Sequence, residues 1–159
     1  MVIDSQELRN VMGHFATGVA VITTKDKTGQ SFGLTANAFT SLSLNPPLAL
    51  ICIDKKVQCY YCFDESKVFA VNILNEGQEE LSRRFATKGI EKFDGIKCHM
   101  GMNGLLLLDD AIGYIESEIV KSYDGGDHTV YVGEVVNATA TGDSPLIFFK
   151  GKYHRLGSP

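Results

Sequence analysis

No apolar run in these 159 residues approaches the roughly 20 that a membrane-spanning helix requires. Met1 to Ser5 supplies neither the basic start nor the apolar core of an export signal, so the expected compartment is the cytoplasm and no membrane partner is expected. Clustered lysine and arginine are also missing. With a net charge of -4 and a pI near 5.5, there is no electrostatic reason to expect nucleic acid. No Gly-x-Gly-x-x-Gly follows a strand pattern, which leaves a Rossmann mode of dinucleotide binding unsupported. No Ser-His-Asp set or carboxylate pair announces hydrolytic or acid/base chemistry, and there is neither an internal repeat nor a low-complexity segment. What is there, at 44% hydrophobic, is enough chain to bury a core of ordinary size, expected as one domain over residues 1–159.

Cysteine is scarce, four in all. Cys59-Tyr60-Tyr61-Cys62 is a CxxC, but thioredoxin-like chemistry wants that motif at a helix start within a βαβ unit. Here it falls inside a short helical pattern beginning near Lys56. A zinc or iron site would need a second close pair, and Cys98-His99 offers a lone thiol, so no metal ligand set is expected. The plainer reading makes Cys59 and Cys62 small buried thiols one helical turn apart, with Cys52 in a core strand.

Periodicity gives an all-β centre with helices attached. Asp4 and Glu7 form a capping-box pattern, and Leu8, Val11, Met12 and Phe15 recur at helical spacing until Gly18. Strands are expected over 19–24, 31–34, 48–53, 68–74, 112–122, 129–140 and 146–150. A hairpin loop is expected at 25–29, and a five-residue Gly-rich turn at 123–127. Short helices fit 57–63 and the stretch from the Asn75 and Gln78 caps to Phe85. Leu105 to Leu108 suits a buried strand better than a dimer contact. Hairpin connections in place of regular βαβ alternation point to a barrel, the arrangement that removes sheet edges.

The most informative stretch is Gly33-Leu34-Thr35-Ala36-Asn37-Ala38-Phe39-Thr40-Ser41-Leu42-Ser43, closed by Asn45-Pro46-Pro47. It is too polar for a core strand, and its hydroxyls and amides interleave with apolar residues. Such a segment can wrap a flat, polar-edged ligand such as an isoalloxazine ring, which needs donors and an acceptor but no buried charge. Gly125-Gly126-Asp127-His128 is a second candidate loop, because glycine lets the backbone approach a ligand and the histidine can donate to an amide or phosphate oxygen.

These two segments, with Phe15-Ala16-Thr17-Gly18-Val19-Ala20-Val21-Ile22-Thr23-Thr24 before them, resemble in order and spacing the short-chain flavin reductases of the FMN-binding split-barrel class. The likeness runs from about the first helix to Tyr153. It implies a mainly β, Greek-key-like split barrel with attached helices, an NAD(P)H:flavin oxidoreductase activity, FMN or FAD as cofactor, NADH or NADPH as co-substrate, and a homodimer with flavin near the interface. By the same resemblance Thr35, Asn37, Ser41 and Leu42 address the ring, Tyr153 lies near it, and Gly126, Asp127 and His128 bind nicotinamide. Relatives commonly carry Ser and Thr after the Asp that ends the Ile53 strand, whereas this chain reads Asp54-Lys55-Lys56-Val57-Gln58. Lys55 and Gln58, at the start of the following helix with its free N–H groups, are then the substitutes for phosphate binding, helped by Arg84 and Lys88.

Hydride transfer from nicotinamide C4 to flavin N5 asks mainly for alignment at about 3 to 3.5 Å, so the missing acid/base dyad is no objection. The acceptor implied is a monooxygenase, a rubredoxin-like iron protein, ferric iron or oxygen. A different class also fits: an FMN-containing electron-transfer protein that passes electrons between protein partners. His14 and His154 are expected to be structural or exposed.

Overall fold

The computed structural model describes residues 3–142 and 144–157. Expectations made for Met1 and Val2, and for one domain reaching Pro159, extend beyond the described residues. In chain order the elements are α1 (Ser5–Gly13), β1 (Thr17–Gly18), β2 (Ala20–Lys25), β3 (Ser31–Ala36), β4 (Phe39–Leu44), β5 (Pro47–Asp54), α2 (Tyr60–Ser66), β6 (Val68–Ile73), α3 (Glu79–Ala86), β7 (Cys98–Met100), β8 (Leu106–Leu108), β9 (Gly113–Gly125), β10 (His128–Ala140), β11 (Ile147–Phe149) and β12 (Lys152–His154).

Seven of these strands form one antiparallel sheet in the order β3-β2-β6-β9-β10-β5-β4. Its two edge strands, β3 and β4, are consecutive in the chain and joined only by Asn37 and Ala38. A two-residue link can connect opposite edges only if the sheet curls until they nearly meet. They do not pair, so the barrel is split along a seam crossed by Asn37-Ala38. The expected split barrel is present, and no closed hydrogen-bonded ring forms. The polar stretch 33–43 is thus strand on both sides of its midpoint, where sequence polarity argued against a core strand. It is an edge strand at each end of the sheet, where polar residues are tolerated.

Alternation sorts the core. On β5, Ile51 and Ile53 turn inward and are fully buried with Phe63, Phe69 and Tyr131. Cys52 lies on the opposite face and is only half-buried, correcting its placement in the core. On β2, Ala20 and Ile22 join that interior, while Val21, with Val19 just before the strand, packs outward under α3 with Phe85, Leu108 and Leu146. Burying each large side chain contributes about 1.5–3 kcal/mol. Gly33 lets α3 dock on β3: a Cβ there would meet Phe85 Cε1 at 2.6 Å. Leu105, Leu107 and Leu108 are buried, with Leu105 and Leu107 against Ala70, which settles the leucine run as interior.

Three boundaries differ from the sequence reading. Helix α1 stops at Gly13, and Asp4 caps it without a side-chain hydrogen bond, so no capping box forms. Leu8, Val11, Met12 and Phe15 share the expected helical spacing but are exposed. Helix α2 begins at Tyr60, after two turns opened by the Asp54 carboxylate accepting from the Lys56 amide at 2.8 Å. The β9–β10 turn is two residues long, because Gly126 takes φ +82 and closes the hairpin tightly.

Candidate functional site

Two clefts flank the seam and share Val19, Ala36 and Asn37. One, of about 410 Å³, runs under Phe15 and Thr17 to Phe39 and Thr40. The other, of about 210 Å³, lies between Thr35, Ala86, Phe148 and Tyr153. Among the described residues, no ionisable acid or base other than the Tyr153 phenol lines either cleft. Their polar groups are hydroxyls and one carboxamide, the donor set that suits a flat neutral heterocycle with a polar edge.

The hydrogen bonds that shape this region run from β3 to the last strand. Thr35 Oγ1 donates to the Ser82 carbonyl at 2.5 Å, and Ser82 Oγ shares a hydrogen bond of 2.7 Å with the Tyr153 hydroxyl. Asn37 Nδ2 donates to Thr17 Oγ1 at 3.2 Å. Arg83 stacks over the Tyr153 ring, its guanidinium carbon 4.9 Å from the centroid. The structure thus brings together Thr35, Asn37 and Tyr153, three of the residues expected at the ring. Ser82 was missed. The available signal was its helical spacing to Phe85, since both lie on the buried face of α3.

Ser41 and Leu42 line neither cleft. They sit on the edge strand β4, where the register slips between Ser41 and Ser43 and leaves Leu42 as the extra residue of a bulge, half exposed. What they can offer is the outer edge of β4, where β4 has no neighbouring strand to pair with.

The glycine-histidine turn lies at the same end of β5 as the seam. The Cys52 amide donates to the Ala38 carbonyl at 3.0 Å, and Asp54 is opposite His128. With a rise of ~3.4 Å per residue and strands ~4.8 Å apart, His128 and the crossing are roughly 12 Å from each other. The length of a three-ring heterocycle is comparable. His128 Nδ1 pairs with Asp127 Oδ1 at 2.7 Å, which holds the Asp127 carboxyl below the usual carboxylate range. Nε2 has no partner among the described residues.

Lys55 is part of this turn and does not mark a helix start. Its Nζ donates to Asp124 Oδ1 at 2.9 Å and to the Gly126 carbonyl at 2.6 Å, and its amide donates to the Asp127 carbonyl at 3.0 Å. Because α2 starts at Tyr60, neither Lys55 nor Gln58 stands in its first turn, and the dipole argument for a phosphate there fails. Gln58 lines a separate small cleft of about 100 Å³ with Gly33, Cys59 and Lys92. Arg84 is committed elsewhere too: its Nε donates to the Lys92 carbonyl at 2.7 Å, and Nη2 donates to those of Glu91 at 2.9 Å and Asp94 at 2.7 Å. Lys88 is exposed and lines none of these clefts.

The CxxC residues are free thiols, both buried, and Cys62 alone lies within α2. Burial pushes the Cys62 thiol up to about 11 and raises Cys59 as well, the reverse of an activated redox pair. His14 and His154 both lie edge-on to Phe149, His14 with its Nδ1 against the Asn10 carbonyl at 2.7 Å.

Fold and seam define a class: a split barrel whose edge strands part between two clefts lined by neutral polar groups. Comparison then gives the particular family. The family model described as flavin reductase like domain matches residues 12–157, and the chain belongs to that family. It is 36% identical over 151 residues to the reductase component of 4-nitrophenol 4-monooxygenase/4-nitrocatechol 2-monooxygenase from Rhodococcus opacus, covering 95% of this chain and 80% of the relative. Among solved structures it superposes on flavin reductase PheA2 in its native state with a TM-score of 0.89 and 42% identity, covering 98% of this chain and 100% of that one. It also superposes on the Streptomyces globisporus NADH:FAD oxidoreductase in complex with NAD and FAD fragments. That match has a TM-score of 0.91 and 36% identity, covering 99% of this chain and 97% of the other.

Proposed function

We infer that this chain is an NAD(P)H-dependent flavin reductase whose reduced flavin serves a separate monooxygenase. Within family membership, the observation that carries the reading is the seam: clefts of neutral hydroxyl and amide groups, with a glycine-histidine turn at the same end of β5. When bound, the flavin supplies the hydride-accepting ring. The chain's own residues orient it. Asn37, held by Thr17, presents its second amide hydrogen to the ring edge, Thr35, whose hydroxyl hydrogen goes to the Ser82 carbonyl, offers an acceptor oxygen, and Tyr153 closes one side. Ser41 and Leu42 contribute backbone groups from the open edge of β4. Gly126, Asp127 and His128 form the nucleotide side, with Asp127 holding the His128 ring through Nδ1, which leaves Nε2 to accept from a carboxamide N–H or, when both ring nitrogens carry protons, to donate to a phosphate oxygen. Apolar walls from Phe15, Phe39 and Phe148 exclude water, so positioning does the work that acid/base groups do elsewhere.

The proposal has further parts: FMN or FAD as the flavin, one domain over 1–159, a cytoplasmic location and a homodimer. The exposed Leu8, Val11, Met12 and Phe15, with Leu42 and Leu44 on β4, are the apolar surface available for the dimer. The electron-carrier reading has no observation that favours it. The test is to purify the protein without added flavin, record its visible spectrum with and without added flavin, and add NADH and NADPH separately under anaerobic conditions. Rapid bleaching of bound flavin by either nucleotide is the expected result. Bound flavin bleached only by a reduced redox protein would reject the reductase in favour of the carrier.

A further inference from the structure

Lys55 ties the glycine-histidine turn to the barrel from the solvent side, through Asp124 and the Gly126 carbonyl. A second tie reaches the same place from the interior. Side chains alternate along β10, so His128 and Val130 face outward while Thr129 and Tyr131 face the core. Thr129 is buried, and its Oγ1 shares a hydrogen bond of 2.7 Å with the Tyr60 hydroxyl at the start of α2. In the sheet Thr129 lies between Ile53 on β5 and Asp124 on β9, and the next rung toward the turn is Asp54–His128–Gly125. The Tyr60 bond therefore grips the rung beside His128 from within, while Lys55 holds the Asp124 end of that rung from outside.

The helix end of this bond is firmly seated. Tyr60 is tilted against Tyr131 with ring centroids 6.4 Å apart, and Tyr131 stacks on Phe63 at 5.3 Å. Cys62, Phe63 and Tyr131 are fully buried, and Ser66 Oγ shares a 3.2 Å hydrogen bond with Thr24 Oγ1 on β2. The sheet end is the opposite: residues 120–127 are all exposed, the part of a ladder that opens first. A bond from a seated helix to such an end restrains it. Being buried, this bond also escapes the salt screening that weakens the exposed Lys55–Asp124 pair.

We propose that Tyr60 is a positioning residue for the nucleotide turn: through Thr129 it keeps the last rungs of β5, β10 and β9 closed and so holds His128 where the nicotinamide nucleotide meets it. This rests on the reading of the turn as the nucleotide side and deepens it, by making α2 part of the nucleotide site although no α2 side chain touches the turn itself.

The test measures kcat and KM for NADH at saturating flavin, flavin Kd by fluorescence quenching, and Tm. It compares wild type with Tyr60→Phe, Thr129→Ser, Tyr60→Phe/Thr129→Val, His128→Ala and Tyr60→Phe/His128→Ala. Tyr60→Phe should raise KM for NADH about threefold to tenfold, the scale of one hydrogen bond, with kcat and flavin Kd within about twofold of wild type. Thr129→Ser keeps a hydroxyl and should stay near wild type. Tyr60→Phe/Thr129→Val removes both partners and leaves no buried group unpaired, so Tm should return toward wild type while KM stays raised, a split that a purely structural bond does not give. On the His128→Ala background, Tyr60→Phe should change KM by less than about twofold, because the bond acts through His128. Its effect on the wild-type background should be the same at low salt and at about 0.5 M salt, whereas that of Lys55→Ala should shrink. Tyr60→Phe with KM within about 1.5-fold of wild type, a rise that persists in full beside His128→Ala, or an equal rise in flavin Kd overturns the proposal. If His128→Ala itself leaves KM unchanged, the nucleotide reading of the turn fails and the proposal falls with it; that variant alone tells the two failures apart.

Discussion

Replacing Gly33 with alanine tests the packing that places α3 over the seam. Gly33 is not in the left-handed region, so the substitution costs nothing in backbone strain and acts through sterics alone. The added methyl would stand 2.6 Å from Phe85 Cε1, 2.8 Å from Cδ1 and 3.2 Å from Phe93 Cζ, against ordinary contacts that begin near 3.4 Å. Phe85 is fully buried and packs edge-on against the half-buried Phe93 at 5.1 Å, so the Phe85 ring has no open space to swing into. Relief therefore requires α3 to move outward by several tenths of an ångström. Overpacking of this kind costs about 1–3 kcal/mol. At roughly 3 °C per kcal/mol for a chain of this size, a mid-range value lowers Tm by about 6 °C. The same movement loosens the Thr35–Ser82–Tyr153 hydrogen bonds, so flavin affinity should fall together with stability. Urea melts and fluorescence titration with flavin measure both. Gly33→Ala/Phe85→Leu supplies the internal control: the shorter side chain makes room for the methyl, and the pair should be more stable than the two single costs added together. A Gly33→Ala protein within about 0.5 kcal/mol of wild type, with unaltered flavin binding, refutes the reasoning.

Other outcomes follow from the same geometry. His128→Ala should raise KM for NADH about tenfold, the loss of one or two hydrogen bonds, while leaving flavin Kd within about twofold; steady-state kinetics beside fluorescence titration would contradict this if flavin binding fell instead. Lys55→Ala removes the bonds from Nζ to Asp124 and the Gly126 carbonyl, and should raise KM for NADH without touching the nucleotide. Its effect on Tm should be small because the ion pair is exposed, and Lys55→Arg should recover part of the KM. With its thiol pushed up to about 11, Cys62 should alkylate with iodoacetamide at pH 8 at least about a hundredfold more slowly in folded than in urea-unfolded protein, as mass spectrometry of timed samples would record. The sign follows from the raised value: thiolate appears in the folded chain only at higher pH than in the unfolded one, so folded-state labelling should accelerate as pH climbs toward 11.

Much of this was legible in the sequence because it depends on neighbours along the chain. Alternation of Ile51 and Ile53 with Cys52 announces a strand whichever sheet receives it. The Asp26 turn, where one carboxylate accepts from the Thr28 amide at 2.8 Å and the Gln30 amide at 3.0 Å, is set by local side-chain chemistry. Thr35, Asn37 and His128 could be singled out from the sequence because their types and spacing carry the family likeness. Cys52 shows the limit of the same reasoning: a strand periodicity assigns two faces but does not say which is interior.

What the sequence alone determined is the three helices, the longer strands other than β4, the polar stretch between 33 and 43, and the turn that ends in His128. Each is encoded by residues within one strand or one turn of each other. Only the tertiary structure decided that β3 and β4 stand at opposite ends of one sheet yet meet at Asn37-Ala38, which makes a polar stretch into a seam. It alone placed Ser82 between Thr35 and Tyr153, tied Lys55 to the turn 69 residues away through Asp124, and committed Arg84 to a loop of carbonyls. These assignments depend on which distant strands the curled sheet brings side by side. Local propensity cannot encode that, because loop closure and burial are settled by the whole chain at once.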